Sequence, residues 1–122
     1  MEENKGGVKN DAGKPRFDLI PPLPLLELAK LYATGAVKYA ERNMEKGLKF
    51  GRVFAAMMRH AWKWWAGQKY DEEDGQHHLI SVIWCALTLF ELERNRPEFD
   101  DRPDYAKPLK EKEDEEKKEE QK

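Results

Sequence analysis

Within KYDEEDGQHHLISVIW, residues 69 to 84, four consecutive acids (Asp71, Glu72, Glu73 and Asp74) run through a glycine and two histidines into an apolar segment. A solvated surface needs charge of either sign, but carboxylates and imidazoles gathered beside core residues make a set that a divalent ion takes up. Carboxylate oxygens suit Mg or Mn, whereas imidazole favours Mn, Zn or Fe over Mg. Asp71, Glu73 and His78 are the candidate ligands, and His60, arriving from an earlier helix, can complete the set. The plainer use of the same residues is an acidic helix start that favours the macrodipole, with histidines that cap or hydrogen bond to tryptophan and backbone. A second group is basic. Lys38, Arg42, Lys46, Arg52 and Arg59 supply charge for phosphate, and Asn43 and Tyr39 supply hydrogen bonds for a sugar or base.

Nothing else in the chain competes with that chemistry. There is no glycine-rich phosphate loop, no serine on an elbow motif and no cysteine pair, and Ser81 falls inside an apolar stretch. Cys85, the single cysteine, sits in the same stretch and reads as a small hydrophobe. The net charge of −2 hides an asymmetry: residues 30 to 70 carry nine Lys or Arg against two Glu, and residues 71 to 104 carry ten acids against three Arg. Brought together, the two segments can hold an anion and the metal that neutralises it; salt bridging over a solvated surface is the simpler alternative. A slightly acidic chain argues against stable nucleic-acid binding. No apolar run approaches the roughly 20 residues of a membrane span, and the amino terminus lacks a signal-peptide core, so a cytoplasmic protein with no membrane partner is expected.

The elements that must position these groups are helical. At 122 residues the chain has room for one core. Residues 1–21 read as an extended arm, because each residue before a proline is pushed out of the helical region. A first helix is predicted from Pro22 to about Tyr39, with Leu25, Leu28, Ala29, Tyr32, Ala36 and Tyr39 on its apolar face. A second runs from about Gly51 to Ala66, turning Phe54, Met57, Met58, Ala61 and Trp65 inward, with His60 at the border and Gly67 as its stop. The third starts at Asp74 as amino cap and continues to about Asn95, apolar nearly all round and therefore central. No segment alternates with the period of a strand, so an all-α, compact bundle of three to four helices is expected over residues 22–96. Residues 97–122 follow as a Pro/Asp-rich turn region and a disordered, charged C-terminal tail. The third helix has more apolar surface than two partners cover, so a homodimer or higher homo-oligomer is expected. The four tryptophans fit that packing, although Trp64 can also stack on a purine.

In order, NDAGKPRFDLIPP, GAVKYAERNMEKG and RVFAAMMRHAWKWWAGQKYDEEDGQHHL resemble the phage-associated dATP/dGTP diphosphohydrolase amino-terminal domain family, related to the MazG-type all-α nucleotide pyrophosphohydrolases, over roughly residues 9 to 93. Lys14, Arg16 and Asp18 in the arm, Gly35, Lys38, Tyr39, Asn43 and Gly47 in the middle, and Arg59, His60, Asp71, Glu73, Gly75 and His78 fit its pattern. Met44 stands where the pattern has tryptophan, and Asp74 where it has serine. The paired acids by which MazG-type helices hold Mg are not recognisable, so the ligand set rests on Asp71, Glu73, His78 and His60, with Glu27 and Glu41 as further candidates. The resemblance implies metal-dependent hydrolysis of purine deoxynucleoside triphosphates, dGTP or dATP, to the monophosphate and pyrophosphate, in the host cytoplasm if the chain is phage-encoded. Under it Asp71 and Glu73 act as ligands or general base, His60 and His78 ligate or orient, and Lys38 and Arg59 clamp phosphate with help from Arg42; Mg or Mn is the implied cofactor. The competing readings are a non-catalytic helical protein-interaction module and a His/Asp metal phosphohydrolase of another specificity.

Overall fold

Prolines set where the first helix begins. In the structure, a computed structural model that describes residues 6–121 without the side chain of Ala106, α1 spans Pro22–Lys38. Pro22 occupies its first position, where the ring fixes φ and no intrahelical N–H is needed. The first five residues of the expected arm and Lys122 lie outside the described residues. After α1 the chain makes a 3₁₀ turn at Asn43–Lys46, entered through Arg42 in the left-handed region at φ 58°.

Helix α2 covers Phe50–Trp65 and stops as its glycine predicts. Gly67, at φ +104°, gives its N–H to the Trp64 carbonyl, and Gln68 gives its own to Lys63 O at 2.9 Å, so two orphan carbonyls are satisfied. Helix α3, His78–Asn95, returns antiparallel to α2 and packs against both α2 and α1. Beyond it a 3₁₀ turn at Pro97–Phe99 folds back over the start of α2, where an Asp101 carboxylate oxygen accepts the Gly51 N–H at 2.7 Å. Among the described residues no strand forms, and no helix is long and apolar enough to cross a membrane. Over the described residues the chain is all-α, with four α-helices.

Three expectations need correction. The third helix starts at His78 and not at Asp74. Asp74 caps a tight turn instead, its Oδ1 accepting the Gln76 N–H at 2.9 Å, while His77 caps the helix by accepting the Leu79 N–H on Nδ1. The packed side of α2 is also rotated: Phe50 and Val53 are buried, whereas Phe54 and Trp65 remain 52% and 74% exposed. Turning His60 toward α3 requires that rotation, because His60 shares a face with Val53, seven residues earlier. Last, the tail is ordered as α4, Ala106–Glu120, with its described side chains exposed. Acid and lysine placed four apart, as in Glu113 with Lys117 and Asp114 with Lys118, favour a helix without any core.

The core is small. Leu28, Met44, Phe50, Val53, Cys85 and Leu92 are its buried apolar members, and Asp71, His78, Ser81 and Thr88 are buried beside them. On α3 the buried positions His78, Ser81, Cys85, Thr88 and Leu92 repeat at alternating spacings of three and four, a seam facing α2 and α1. Polar side chains dominate that seam.

Candidate functional site

The turn between α2 and α3 shapes the first half of the site. Asp71 N–H donates to Gln76 O and Gly75 N–H to Asp71 O, both at 2.8 Å, so residues 71–76 close on themselves. Gly75 sits at φ +73°, where a side chain would be strained. Within this turn Asp71 Oδ1 accepts the Glu73 N–H at 2.7 Å, which leaves Oδ2 facing His60 Nδ1 at 3.7 Å. His60 lies on the last turns of α2 and His78 opens α3. Their Nδ1 atoms are 2.9 Å apart, and His78 Nε2 meets Gln68 Oε1 at 2.7 Å.

Three side chains therefore converge: His60, Asp71 and His78 offer ligand atoms that all lie within 4.8 Å of one another. His78 is fully buried and Asp71 nearly so, with His60 half-buried at the mouth. Burial, with His78 alongside, pushes His60 below the ordinary histidine value against the pull of Asp71 and Asp74. The Glu73 N–H, helped by Lys63 and the two histidines and opposed by burial, holds Asp71 below the usual carboxylate range. A neutral imidazole and an ionised carboxylate are the forms that bind a cation, and this set can hold a metal ion.

A groove of about 870 Å³ opens along the same helix pair, lined among others by Tyr32, Tyr39, Asn43, Arg52, Trp84 and Phe99. Ala56 belongs to its wall, and His60 follows one turn later, roughly 6 Å along α2. The groove wall and the cluster thus share one helix. Phe99 lies against Gly47, whose φ of +107° suits glycine and where a Cβ would collide with the ring. Arg96 Nε secures the same corner by donating to Glu45 O at 3.0 Å.

The residues singled out by sequence separate into groups. His60, Asp71 and His78 meet, while the exposed Glu73 is not one of the three convergent side chains. Tyr39, Arg42 and Asn43 line the groove; Lys38 and Arg59 do not. Lys38 Nζ rests over the Tyr39 ring, 5.1 Å from its centroid, at the exposed end of α1. Glu27 pairs with Lys30 at 3.1 Å, and neither it nor Glu41 joins the cluster. Trp64 stacks near Trp65 and lines no part of the groove. Gln68 and Phe99 were missed. Gln68 had a signal in its position just after the helix-stopping Gly67; Phe99 had only the proline before it.

The profile of the family described as dATP/dGTP diphosphohydrolase, N-terminal, matches residues 4–102, which takes in the turn with Asp71 and the segment with Phe99. The chain belongs to that family. A relative from Salmonella phage PMBT28, named dATP/dGTP diphosphohydrolase, is 36% identical over 96 residues, which is 79% of this chain and 33% of the relative. The chain thus spans about a third of the length of the curated relative it matches. No solved structure matches. The matched span contains the turn, both histidines and the residues that line the groove.

Proposed function

We propose that the chain hydrolyses purine deoxynucleoside triphosphates, dATP or dGTP, to the monophosphate and pyrophosphate, with a divalent ion held by His60, Asp71 and His78. The observation that carries this reading is the His–Asp–His cluster one helical turn along α2 from Ala56 in the wall of a groove of about 870 Å³. The phage relative's name and the family description support the substrate class. When bound, a divalent ion supplies charge neutralisation and Lewis acidity for the triphosphate. Two imidazoles with one carboxylate fit Mn better than Mg.

The chain's own side chains do the rest. Tyr39 and Asn43 offer hydrogen bonds to sugar or base along the groove, with Trp84 and Phe99 as apolar walls. Arg42, held by Glu45 at 3.1 Å, reaches phosphate from the groove side; its positive φ is strain of the kind that collects at functional sites. Lys38 and Arg59 approach from the exposed rims of α1 and α2 as phosphate clamps. In this reading Glu73, exposed on the turn two residues after Asp71, takes a proton from an attacking water. The same reading includes a homodimer or higher oligomer in the cytoplasm, for which the exposed apolar side chains of α2 and α3 speak.

The test is release of pyrophosphate from a panel of deoxynucleoside triphosphates with Mn, Mg or chelator present. Metal-dependent pyrophosphate from dATP or dGTP is expected. No release with any nucleotide would leave the interaction module as the better reading, and tripolyphosphate in place of pyrophosphate would mean a phosphohydrolase of another specificity.

A further inference from the structure

We infer that Gln68 is a positioning residue that locks His78 in the tautomer whose Nδ1 lone pair faces the cluster, and so tunes the site for ions that take imidazole more readily than Mg does, such as Mn or Zn. The inference deepens the metal reading above and rests on it for the identity of the ligand. Its argument begins outside the cluster. Gln68 Nε2 donates to Glu72 Oε1 at 3.1 Å. An ionised carboxylate only accepts, so the amide's NH₂ end must face Glu72 and its carbonyl end must face His78. That carbonyl, Oε1, lies 2.7 Å from His78 Nε2. A carbonyl oxygen only accepts as well, so His78 Nε2 carries the hydrogen, and the neutral ring is left with a lone pair on Nδ1.

The direction of that lone pair matters because of what surrounds it. His78 is fully buried, and among the described residues the hydrogen-bond partner of its Nδ1 is His60 Nδ1 at 2.9 Å, with Asp71 Oδ2 3.7 Å from His60 Nδ1. Without an ion, His60 Nδ1–H donates to His78 Nδ1. A cation would be held by the Nδ1 lone pairs of His60 and His78, with the His60 proton carried on Nε2. A flipped Gln68 would reverse this, placing the proton of a buried imidazole on Nδ1 and aiming it at the site. The backbone keeps Gln68 in place, since its N–H is committed to Lys63 O in the stop of α2. Such outer partners of metal-binding histidines are typically worth ~10–100-fold in affinity.

The experiment uses the whole chain and the metal alone. Mn and Zn binding are measured by calorimetry for wild type, Gln68→Leu and Gln68→Glu, and the tautomer of His78 is read from its ring ¹⁵N shifts in the metal-free proteins. Wild type should show Nε2–H and bind Mn; Gln68→Leu should bind ~10–100-fold more weakly with unchanged helix content and a mixed tautomer. Gln68→Glu, which can only accept, should restore Nε2–H and come within several-fold of wild type. A wild-type His78 protonated on Nδ1, or a Gln68→Leu protein with the same tautomer and affinity as wild type, overturns the inference. A wild type with the Nε2–H tautomer that binds neither ion overturns the metal reading and with it the role of Gln68 in metal binding.

Discussion

Asp71→Asn separates a working carboxylate from a merely structural one, because it keeps shape and removes charge. Asp71 Oδ1 accepts the Glu73 N–H at 2.7 Å, and an asparagine oxygen accepts the same bond, so the turn at 71–76 should close as before. The bond changes from charge-assisted to neutral, a loss of about 1 kcal/mol, or roughly 4–8 °C in a domain of this size. The sign follows from the depressed pKa of Asp71: its stabilisation is present above the ordinary carboxylate value and is lost as pH falls through the folded one. Asparagine should therefore lower the neutral plateau by that amount, leave the acid end almost unchanged, and so flatten the limb between them. Activity should respond on another scale. Removing one charged ligand takes away about 3–4 kcal/mol of charge stabilisation in the transition state, a fall of ~10²–10³-fold in pyrophosphate release from dATP or dGTP. Circular dichroism melting and metal-dependent turnover on the same preparation read both numbers. Asp74→Asn, whose carboxylate accepts the Gln76 N–H and is not one of the three convergent ligand groups, is the control and should stay active. A folded, fully active Asp71→Asn protein would refute the assignment of this turn to the active site.

Deleting residues 107–122 should change the melting temperature and turnover little, because the side chains of α4 are exposed; a large loss of stability would mean that the helix docks. Gly47→Ala should cost about 1–3 kcal/mol in denaturant melts, from its φ of +107° and the Phe99 ring beside it, and wild-type stability would contradict the packing of that corner. The Cys85 thiol, buried and pushed up to about 11, should resist alkylation at pH 8 in the folded protein, and Cys85→Ala should retain turnover. Ile83→Glu with Phe90→Glu, at positions 37% and 75% exposed, should leave the fold intact but weaken self-association by ~100-fold; sedimentation of wild type as a monomer at micromolar concentration would count against an oligomer.

Local signals reported local structure well. Proline at the start of α1 and Gly67 at the end of α2 mark boundaries that the structure keeps, since each acts through its own backbone. The start of α3 was hidden because Asp74 has the chemistry of a helix cap and uses it two residues away, on Gln76. The inward side of α2 was misread for another reason. Hydropathy placed His60 at the border, yet its ring meets buried His78 across the helix pair, and that pairing sets the rotation of the whole helix. Residue type alone gathered His60, Asp71, Glu73 and His78 as one candidate set; it could not show that three of them converge while Glu73 lends the turn its backbone and keeps its side chain exposed. Gln68 and Phe99 act through contacts ten and 52 residues distant in sequence, to His78 and Gly47, which no periodicity carries.

Helix α3 ties the site to the stability of the fold. Its buried seam contains His78, Ser81 and Thr88, so a helix rich in Leu, Ile and Phe spends much of its interior on polar groups. The cost is visible nearby: Thr88 Oγ1 and Tyr32 Oη are buried close to each other with no well-formed hydrogen bond among the described residues, and a buried group left unpaired destabilises by about 1–3 kcal/mol. On the outer side Leu79, Ile83 and Phe90 remain exposed, and fully covering side chains of this kind stabilises by roughly 1.5–3 kcal/mol apiece. The site and the exterior therefore make opposite demands on one helix: the cluster needs His78 turned inward, and the apolar residues left on the outside want a cover. A second copy laid against that face would meet both demands without altering the seam. On this argument the Ile83→Glu, Phe90→Glu protein should lose thermal stability as well as association, by more than exposed substitutions cost, while the His78 ring environment stays as it is in wild type.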